Sequence, residues 1–257
     1  MSGGKVFLDV GAHTGETLRA VVDPRYRFDR IVCFEPSSWC LERLARFRHP
    51  QLEIAPFGLW NRTERRILHD PGSVGASLFG EKATSGRTQM ARFVRASDWF
   101  TENLQAEDTV YVKLNCEGAE CDILDDLLDS GEIRKADFIL VHFDVRKIPS
   151  QRHRENQVKA RLREAGVSGW AKADKALVGS SIIARVQHWL DSVGADEYSR
   201  LTTAARIRSS VNRLRFVSAP AALQRARLGP LARTVLPRRL HYRLQAFFYP
   251  EAGDRRG

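Results

Sequence analysis

Short apolar runs alternate with segments of helical spacing along the first 145 residues. These runs predict five β-strands, at 5–10, 30–35, 51–60, 108–115 and 136–144. Residues with helical spacing follow the second and fourth runs, and a glycine-containing turn separates the first run from its helix. Strands that alternate with helices predict an α/β fold, with a mostly parallel, Rossmann-like sheet and helices on both faces.

The remaining segments are less regular. Glycine and serine punctuate residues 62–94, which predicts hairpins and loops. Residues 157–166 predict a helix. Residues 181–194 also have helical spacing, although their β-branched start equally suits a last strand.

The positive charge of the 257-residue chain is concentrated near its C-terminal end. The segment from Arg200 to Gly257 holds 13 arginines, no lysine and two acids, so it carries more than the net charge of +10 of the whole chain. We therefore predict a main domain at 1–195 and an Arg-rich helical extension at 196–257. No apolar run approaches the roughly 18 residues of a membrane-spanning helix, and residues 1–10 lack a secretory signal pattern, so we expect a cytoplasmic protein.

Ligand-binding residues of a parallel sheet lie just beyond the carboxyl ends of its strands. The first such loop has Asp9 in the strand and then Gly11, His13 and Gly15. Its spacing matches neither a phosphate-binding P-loop nor the GxGxxG dinucleotide fingerprint. We expect its free N–H groups to face an anion, and the spacing suits an adenosyl ligand without a pyrophosphate, of which S-adenosylmethionine is the common one.

An acidic residue stands at the expected place for the ribose of such a ligand. Glu35 ends the second strand, 20 residues after Gly15, and is followed by Pro36. In nucleoside-binding α/β folds a carboxylate at this spacing accepts hydrogen bonds from ribose hydroxyls.

The segment 113–121 contains two cysteines, but its other residues carry more information. Zinc would need further ligands with suitable spacing, and Cys116 and Cys121 do not form a CxxC redox pair. We therefore interpret Cys121 as a core residue and expect no metal ligands. Lys113 interrupts an apolar strand, where an unpaired ammonium is costly, so we expect it to pair with Asp9 or Glu117.

Three motifs in order, "FLDVGAHTGET", "FEPS" and "VKLNCEGAECDIL", resemble those of the FkbM-type methyltransferases. The resemblance covers roughly residues 5–150. It implies a class I methyltransferase fold, S-adenosylmethionine as cofactor, and methyl transfer to hydroxyls of sugars and natural products. The cofactor-binding residues expected from the motifs are Asp9, Gly11, His13, Gly15, Glu35 and Pro36.

The sequence departs from that family at two places. Asn115 replaces the usual aspartate of the Lys-x-Asp-x-Glu-Gly-x-Glu segment, and His13-Thr14 replaces the commoner Asn-Ile. The first change removes a carboxylate that could act as base or metal ligand. We expect Glu117 and His142 to serve as bases late in methyl transfer, with Lys113 and Asn115 positioning them or the acceptor.

The acceptor is expected to be a glycan or another hydroxylated small molecule. The basic extension suggests peripheral contact with an anionic membrane surface. Two other functions stay open: an RNA methyltransferase guided by the extension, although nucleic acid is not the expected partner, and a non-catalytic protein that binds an adenosyl ligand or an anionic surface.

Overall fold

A computed structural model describes residues 3–196. Nine strands lie within them: β1 Lys5–Val10, β2 Arg30–Phe34, β3 Leu52–Ala55, β4 Gly58–Trp60, β5 Glu64–His69, β6 Thr88–Arg95, β7 Thr109–Leu114, β8 Phe138–Val141 and β9 Trp170–Lys172. The α-helices of the same residues are α1 Leu18–Val21, α2 Ser38–Leu44, α3 Ala96–Asn103, α4 Glu120–Ser130, α5 Arg154–Glu164, α6 Ala173–Ala176 and α7 Ile182–Ser192. The predicted basic extension lies outside the described residues.

Six strands form one parallel sheet in the order β3-β2-β1-β7-β8-β9. Every residue of β1 and β7 is buried, because helices cover both faces of the sheet. Helices α1 and α7 pack together, and α3, α4 and α5 form a second group. The predicted α/β, Rossmann-like fold is confirmed.

A smaller sheet stands beside the main one, in the order β4-β6-β5. Strands β5 and β6 are antiparallel and enclose a loop at residues 70–87, which confirms the hairpin predicted in this region. Trp60 in β4 donates its indole N–H to the carboxylate of Asp122 in α4, at 2.9 Å, and so ties the small sheet to the domain.

One sequence prediction needs correction. Residues 51–60 are not one strand: β3 pairs with β2 of the main sheet, whereas β4 pairs with β6 of the small one. Pro56 lies at the break, because it has no N–H for a ladder.

Of the two structures left open for residues 181–194, the helix is confirmed, since residues 182–192 form α7. The last described strand is the three-residue β9, which the sequence pattern did not reveal.

A buried ion pair joins the two central strands. Asp9 and Lys113 are direct neighbours in the β1–β7 register, and the Lys113 Nζ lies 2.7 Å from the Asp9 Oδ1. Both residues are buried. The predicted pairing of Lys113 with Asp9 is thus confirmed, while Glu117 has other partners. Burial raises the pKa of Asp9, and the neighbouring Lys113 opposes that rise.

Removal of the ammonium should destabilise the fold strongly. We expect Lys113→Met to lower the free energy of unfolding by about 3–5 kcal/mol, because Asp9 keeps a buried charge without its partner. The loss should grow as the pH rises above 4: without Lys113, which opposes the rise, the folded-state pKa of Asp9 is raised further, so the folded variant binds more protons than its unfolded chain. Urea unfolding at pH 5 and pH 7 measures both effects.

The matched control is Glu53→Gln, which breaks the exposed pair between Glu53 and Arg30 on the neighbouring strands. Its cost should stay below about 1 kcal/mol. Equal losses in the two variants would show that the buried pair does not stabilise the sheet.

Candidate functional site

A pocket of about 250 Å³ opens at the carboxyl ends of β1, β2 and β7. The direction in which the chain winds through the main sheet reverses between β1 and β7, and ligands of open α/β sheets bind at such a switch point. Strand ends supply one wall of the pocket, the small sheet supplies Leu59 and Phe93, and the loop at 70–87 supplies Val74 and Leu78.

The loop after β1 is in close contact with the loop after β7. Gly11 has a φ of +81°, and a Cβ at this position would lie 2.0 Å from the carbonyl oxygen of Asn115. Glycine is therefore required twice, for its left-handed backbone and for the close approach.

The N–H groups of Gly11, Ala12, His13 and Gly15 already have acceptors, which corrects the expectation that they are free to face an anion. Gly11 and Ala12 both donate to the carbonyl of Phe34, at 3.1 Å, and Gly15 donates to Ala12. His13 donates its backbone N–H to Glu35, at 2.8 Å. The acceptors of Gly11, Ala12 and His13 come from the end of β2, so they follow from strand order and not from the loop's own sequence.

Glu35 is a buried carboxylate in the wall of the pocket. One carboxylate oxygen accepts the N–H of His13 and the other accepts that of Ser37, both at 2.8 Å. Burial raises the pKa of Glu35 to about 7, against the lowering effect of these two hydrogen bonds. Each oxygen keeps a lone pair, so Glu35 can still accept hydrogen bonds from a ligand in the pocket.

His13 places a cation at the pocket. Its φ is +50°, and its Nδ1 lies 2.8 Å from the Oε1 of Glu16. The neighbouring Cys40, and then Glu16, raise the pKa of His13 to about 9, which favours the protonated ring at neutral pH. The ring also faces Trp39, with 6.4 Å between the centroids.

The loop after β7 has an unusual backbone that a buried carboxylate holds. Glu117 has a φ of +55°, which is rare for a residue with a side chain, and Gly118 follows at +123°. The carboxylate of Glu120 accepts the N–H groups of Cys116 and Gly118, at 3.1 to 3.2 Å. Burial raises the pKa of Glu120 to about 7.

Asn115 leaves a polar atom without a partner in the pocket wall. Its Oδ1 is buried, and within residues 3–196 it accepts no hydrogen bond. Buried carbonyl oxygens almost always have a donor. The Oδ1 of Asn115 is therefore an unsatisfied hydrogen-bond acceptor in the wall of the pocket.

Glu117 lines the pocket, and its carboxylate lies between two lysines. Lys82, from the loop at 70–87, forms an ion pair with it, and the Nζ of Lys147 lies 3.7 Å away. Lys147 also bonds to the buried Asp144, at 2.7 Å. Burial lowers the pKa of Lys82. Two ammonium groups thus lie beside the Glu117 carboxylate.

The structure brings most of the sequence-predicted residues into one wall. Those that line the pocket are Gly11, His13, Glu35, Pro36, Lys113, Asn115 and Glu117. Among residues 3–196, the lining does not include Asp9, Gly15 or His142. Asp9 pairs with Lys113, and Gly15 lies against Leu44 at the end of α2 and against Phe47, which follows that helix.

His142 follows β8, one strand further from the switch point. Its Nε2 lies 3.5 Å from the Oδ1 of Asp174, and the Oδ2 of Asp174 accepts a hydrogen bond from Arg146 at 2.7 Å. The strand-end rule thus places His142 at the correct edge of the sheet, but outside the pocket.

The sequence did not predict the pocket-lining residues that come from outside the main sheet. Ser73, Val74, Ala76 and Leu78 come from the loop at 70–87, and Ile182 comes from the start of α7. These segments have no strand-end position, and the high glycine and serine content of the loop was the only signal in the sequence.

The cysteines have no special chemistry at this site. All four are free thiols, and Cys121 is fully buried in the core, as predicted. Burial raises the pKa of Cys116 well above its usual value, so its thiol is protonated at neutral pH. Within residues 3–196, no group of three or more His, Cys, Asp or Glu side chains is arranged to hold a metal ion. No described helix is both long enough and apolar enough to span a bilayer.

The close contact at Gly11 can be tested with a matched glycine. Gly131 has nearly the same φ, +80°, but a Cβ there would meet nothing within 4 Å. Gly131→Ala should cost about 1–2 kcal/mol from backbone strain alone. Gly11→Ala should cost about 1–3 kcal/mol more, because the two loops must separate. Urea unfolding of both variants gives the difference, and equal costs would exclude a tight contact between the loops.

No family model matches this sequence, and no curated protein matches it. Among solved structures, the methyltransferase FkbM from Methylobacillus flagellatus KT is similar to this chain, with 15% sequence identity and a TM-score of 0.39. The alignment covers 63% of this chain and 38% of that protein, so this chain spans well under half of its length.

Proposed function

We propose that this chain is an S-adenosylmethionine-dependent methyltransferase. The observation that carries the proposal is the buried Glu35 carboxylate in a switch-point pocket whose first loop offers no free N–H at Gly11, Ala12 or His13. A phosphate ligand would need those N–H groups and would be repelled by Glu35. A ribose needs the carboxylate, so the pocket favours a nucleoside without phosphates.

The residues of the pocket fit this cofactor. Glu35 and Pro36 would hold the ribose, and the apolar side chains of Leu59 and Phe93 would contact the base. Gly11 and His13 would lie beside the amino-acid part, where the protonated His13 can pair with a carboxylate. When bound, the cofactor supplies a methyl group activated by a sulfonium.

The protein's own residues then have to align the acceptor and remove one proton. Asn115 can accept a hydrogen bond from the acceptor hydroxyl through its free Oδ1, which orients the oxygen. Glu117 lies in the same wall and can take the proton late in the reaction. Lys82 and Lys147 fix its carboxylate, and Glu120 holds the backbone that carries it.

The acceptor in this proposal is a hydroxyl of a glycan or another hydroxylated small molecule. RNA as acceptor and a non-catalytic adenosyl-binding protein are the alternatives. The basic segment that would guide RNA or a membrane lies outside the described residues.

Cofactor binding can be tested by calorimetric titration with S-adenosylhomocysteine. We expect Glu35→Gln to weaken binding by about 10- to 100-fold, because a charge-assisted hydrogen bond is lost. Binding to the wild type should weaken as the pH falls below 7, since Glu35 has a raised pKa of about 7 and its ionised form accepts the ribose hydroxyls. In the variant this pH dependence should disappear.

The control for that titration is Glu53→Gln, which removes an exposed carboxylate far from the pocket walls. It should bind S-adenosylhomocysteine as the wild type does. No binding to the wild type, or equal binding to Glu35→Gln, would refute the proposed cofactor.

The proton acceptor can be identified with two variants. Glu117→Gln should reduce transfer of labelled methyl groups by about 10²- to 10⁴-fold while S-adenosylhomocysteine still binds. His142→Gln should retain activity, since its ring faces Asp174 and not the pocket. The acceptors are an extracted glycan pool and, in parallel, RNA. The reverse pattern would assign the base to His142, and cofactor binding without transfer to either pool would favour the non-catalytic alternative.

A further inference from the structure

Large apolar side chains stand exposed around the opening of the pocket. Val74 is 78% exposed and Ile182 is 40% exposed, yet both line the pocket. Trp39 is 43% exposed, and its ring lies against Gly72 and faces His13, which is itself a pocket residue. We call Val74, Ile182 and Trp39 the apolar rim.

Val74 lies in a loop that several internal hydrogen bonds stabilise. The carboxylate of Asp70 accepts the N–H groups of Thr84 and Ser85, at 2.6 and 3.0 Å, and both of their hydroxyls. These hydrogen bonds lower the pKa of Asp70, so the carboxylate stays ionised. Within the loop Ser73 accepts the N–H of Gly75. The exposure of Val74 is thus a consequence of a closed hydrogen-bond network.

Ile182 is fixed in a similar way at the start of α7. The hydroxyl of Ser181 accepts the N–H of Ala184, at 3.2 Å, and so caps the helix. Ile182 is the first residue of the helix, and its partly exposed side chain is directed to the pocket. Two independently fixed elements therefore present apolar side chains at one opening.

The size of the pocket determines what can cover the apolar rim. Pockets for drug-sized ligands are typically about 300–1,000 Å³, and this pocket is about 250 Å³. With an adenosyl ligand in this space, the acceptor would place only its hydroxyl beside Asn115 and Glu117, and the rest of the acceptor would lie at the opening. Exposed apolar groups around a binding pocket mark a surface that the ligand covers.

We propose that the acceptor carries an apolar group next to its methylated hydroxyl, and that this group packs on the apolar rim. The proposal rests on the proposed methyltransferase function and narrows its acceptor class to amphipathic hydroxylated molecules, such as glycosides with an alkyl or aryl substituent. A membrane or a second copy of the chain on the rim would block the opening through which the acceptor enters.

The experiment compares two glucosides that differ only in their apolar group. Octyl β-glucoside, below its micelle concentration, and methyl β-glucoside are titrated into protein saturated with S-adenosylhomocysteine. We expect the octyl compound to bind at least about tenfold more tightly, because burial of its chain on two aliphatic side chains stabilises the complex. The double variant V74S/I182S should lose this difference.

The matched control is I67S/M90S, which removes two side chains of similar exposure, 47% and 51%, from neighbouring positions of β5 and β6. It should keep the tenfold difference. Equal binding of the two glucosides, no binding of either, or no effect of V74S/I182S would overturn the proposal. A titration with S-adenosylhomocysteine alone tests the cofactor proposal separately: the wild type and I67S/M90S should bind it equally, and V74S/I182S, whose changes lie in the pocket lining, is brought to saturation with it before the glucosides are added.

Other occupants give different results. Octyl glucoside that competes with S-adenosylhomocysteine would occupy the pocket itself and not the rim. A change of mass in solution between the wild type and V74S/I182S would show that a second copy covers the rim. Stronger vesicle binding by the wild type than by V74S/I182S would indicate a membrane. Each of these outcomes would overturn the assignment of the rim to the acceptor.

Discussion

The ion pair between Asp9 and Lys113 is the constraint on which the site depends. It lies at the switch point of the sheet, where β1 and β7 are neighbours although about a hundred residues separate them in sequence. Charges in this buried place are costly unless they are paired, so the register that aligns them is strongly favoured over its alternatives. That register also sets the distance between the loops after the two strands, and with it the contact of Gly11 with Asn115.

Beyond this contact, hydrogen bonds fix the positions of the two loops. The first loop is bound to the end of β2 through Phe34 and Glu35, and the loop after β7 is bound through Glu120. Three strand ends are thus joined before any ligand arrives. A ligand in this pocket finds its binding groups already positioned, which lowers the entropic cost of binding.

Much of this site could be predicted because strand ends are visible in a sequence. Asp9, Glu35 and Lys113 interrupt or end apolar runs, and a parallel sheet brings such positions to one edge. His142 shows where this rule ends, because the edge is longer than the pocket and β8 lies one strand beyond the switch point. The sequence also did not show that the loop N–H groups are hydrogen-bonded already, since their acceptors, Phe34 and Glu35, lie at the end of β2. The three-residue β9 is too short to show a period.

The wall formed by residues 70–87 differs in origin from the rest of the pocket. The antiparallel strands β5 and β6 carry this loop and Asp70 closes it. Two of its residues reach the loop after β7: Ser77 donates its hydroxyl to the carbonyl of Glu117, and Lys82 pairs with the Glu117 carboxylate. Substitutions at exposed positions such as Val74 leave the buried pair and the strand ends undisturbed, whereas changes at Ser77 or Lys82 would reach Glu117. Evolution can thus vary the outer wall of the pocket at its exposed positions, while the buried pair constrains the inner wall.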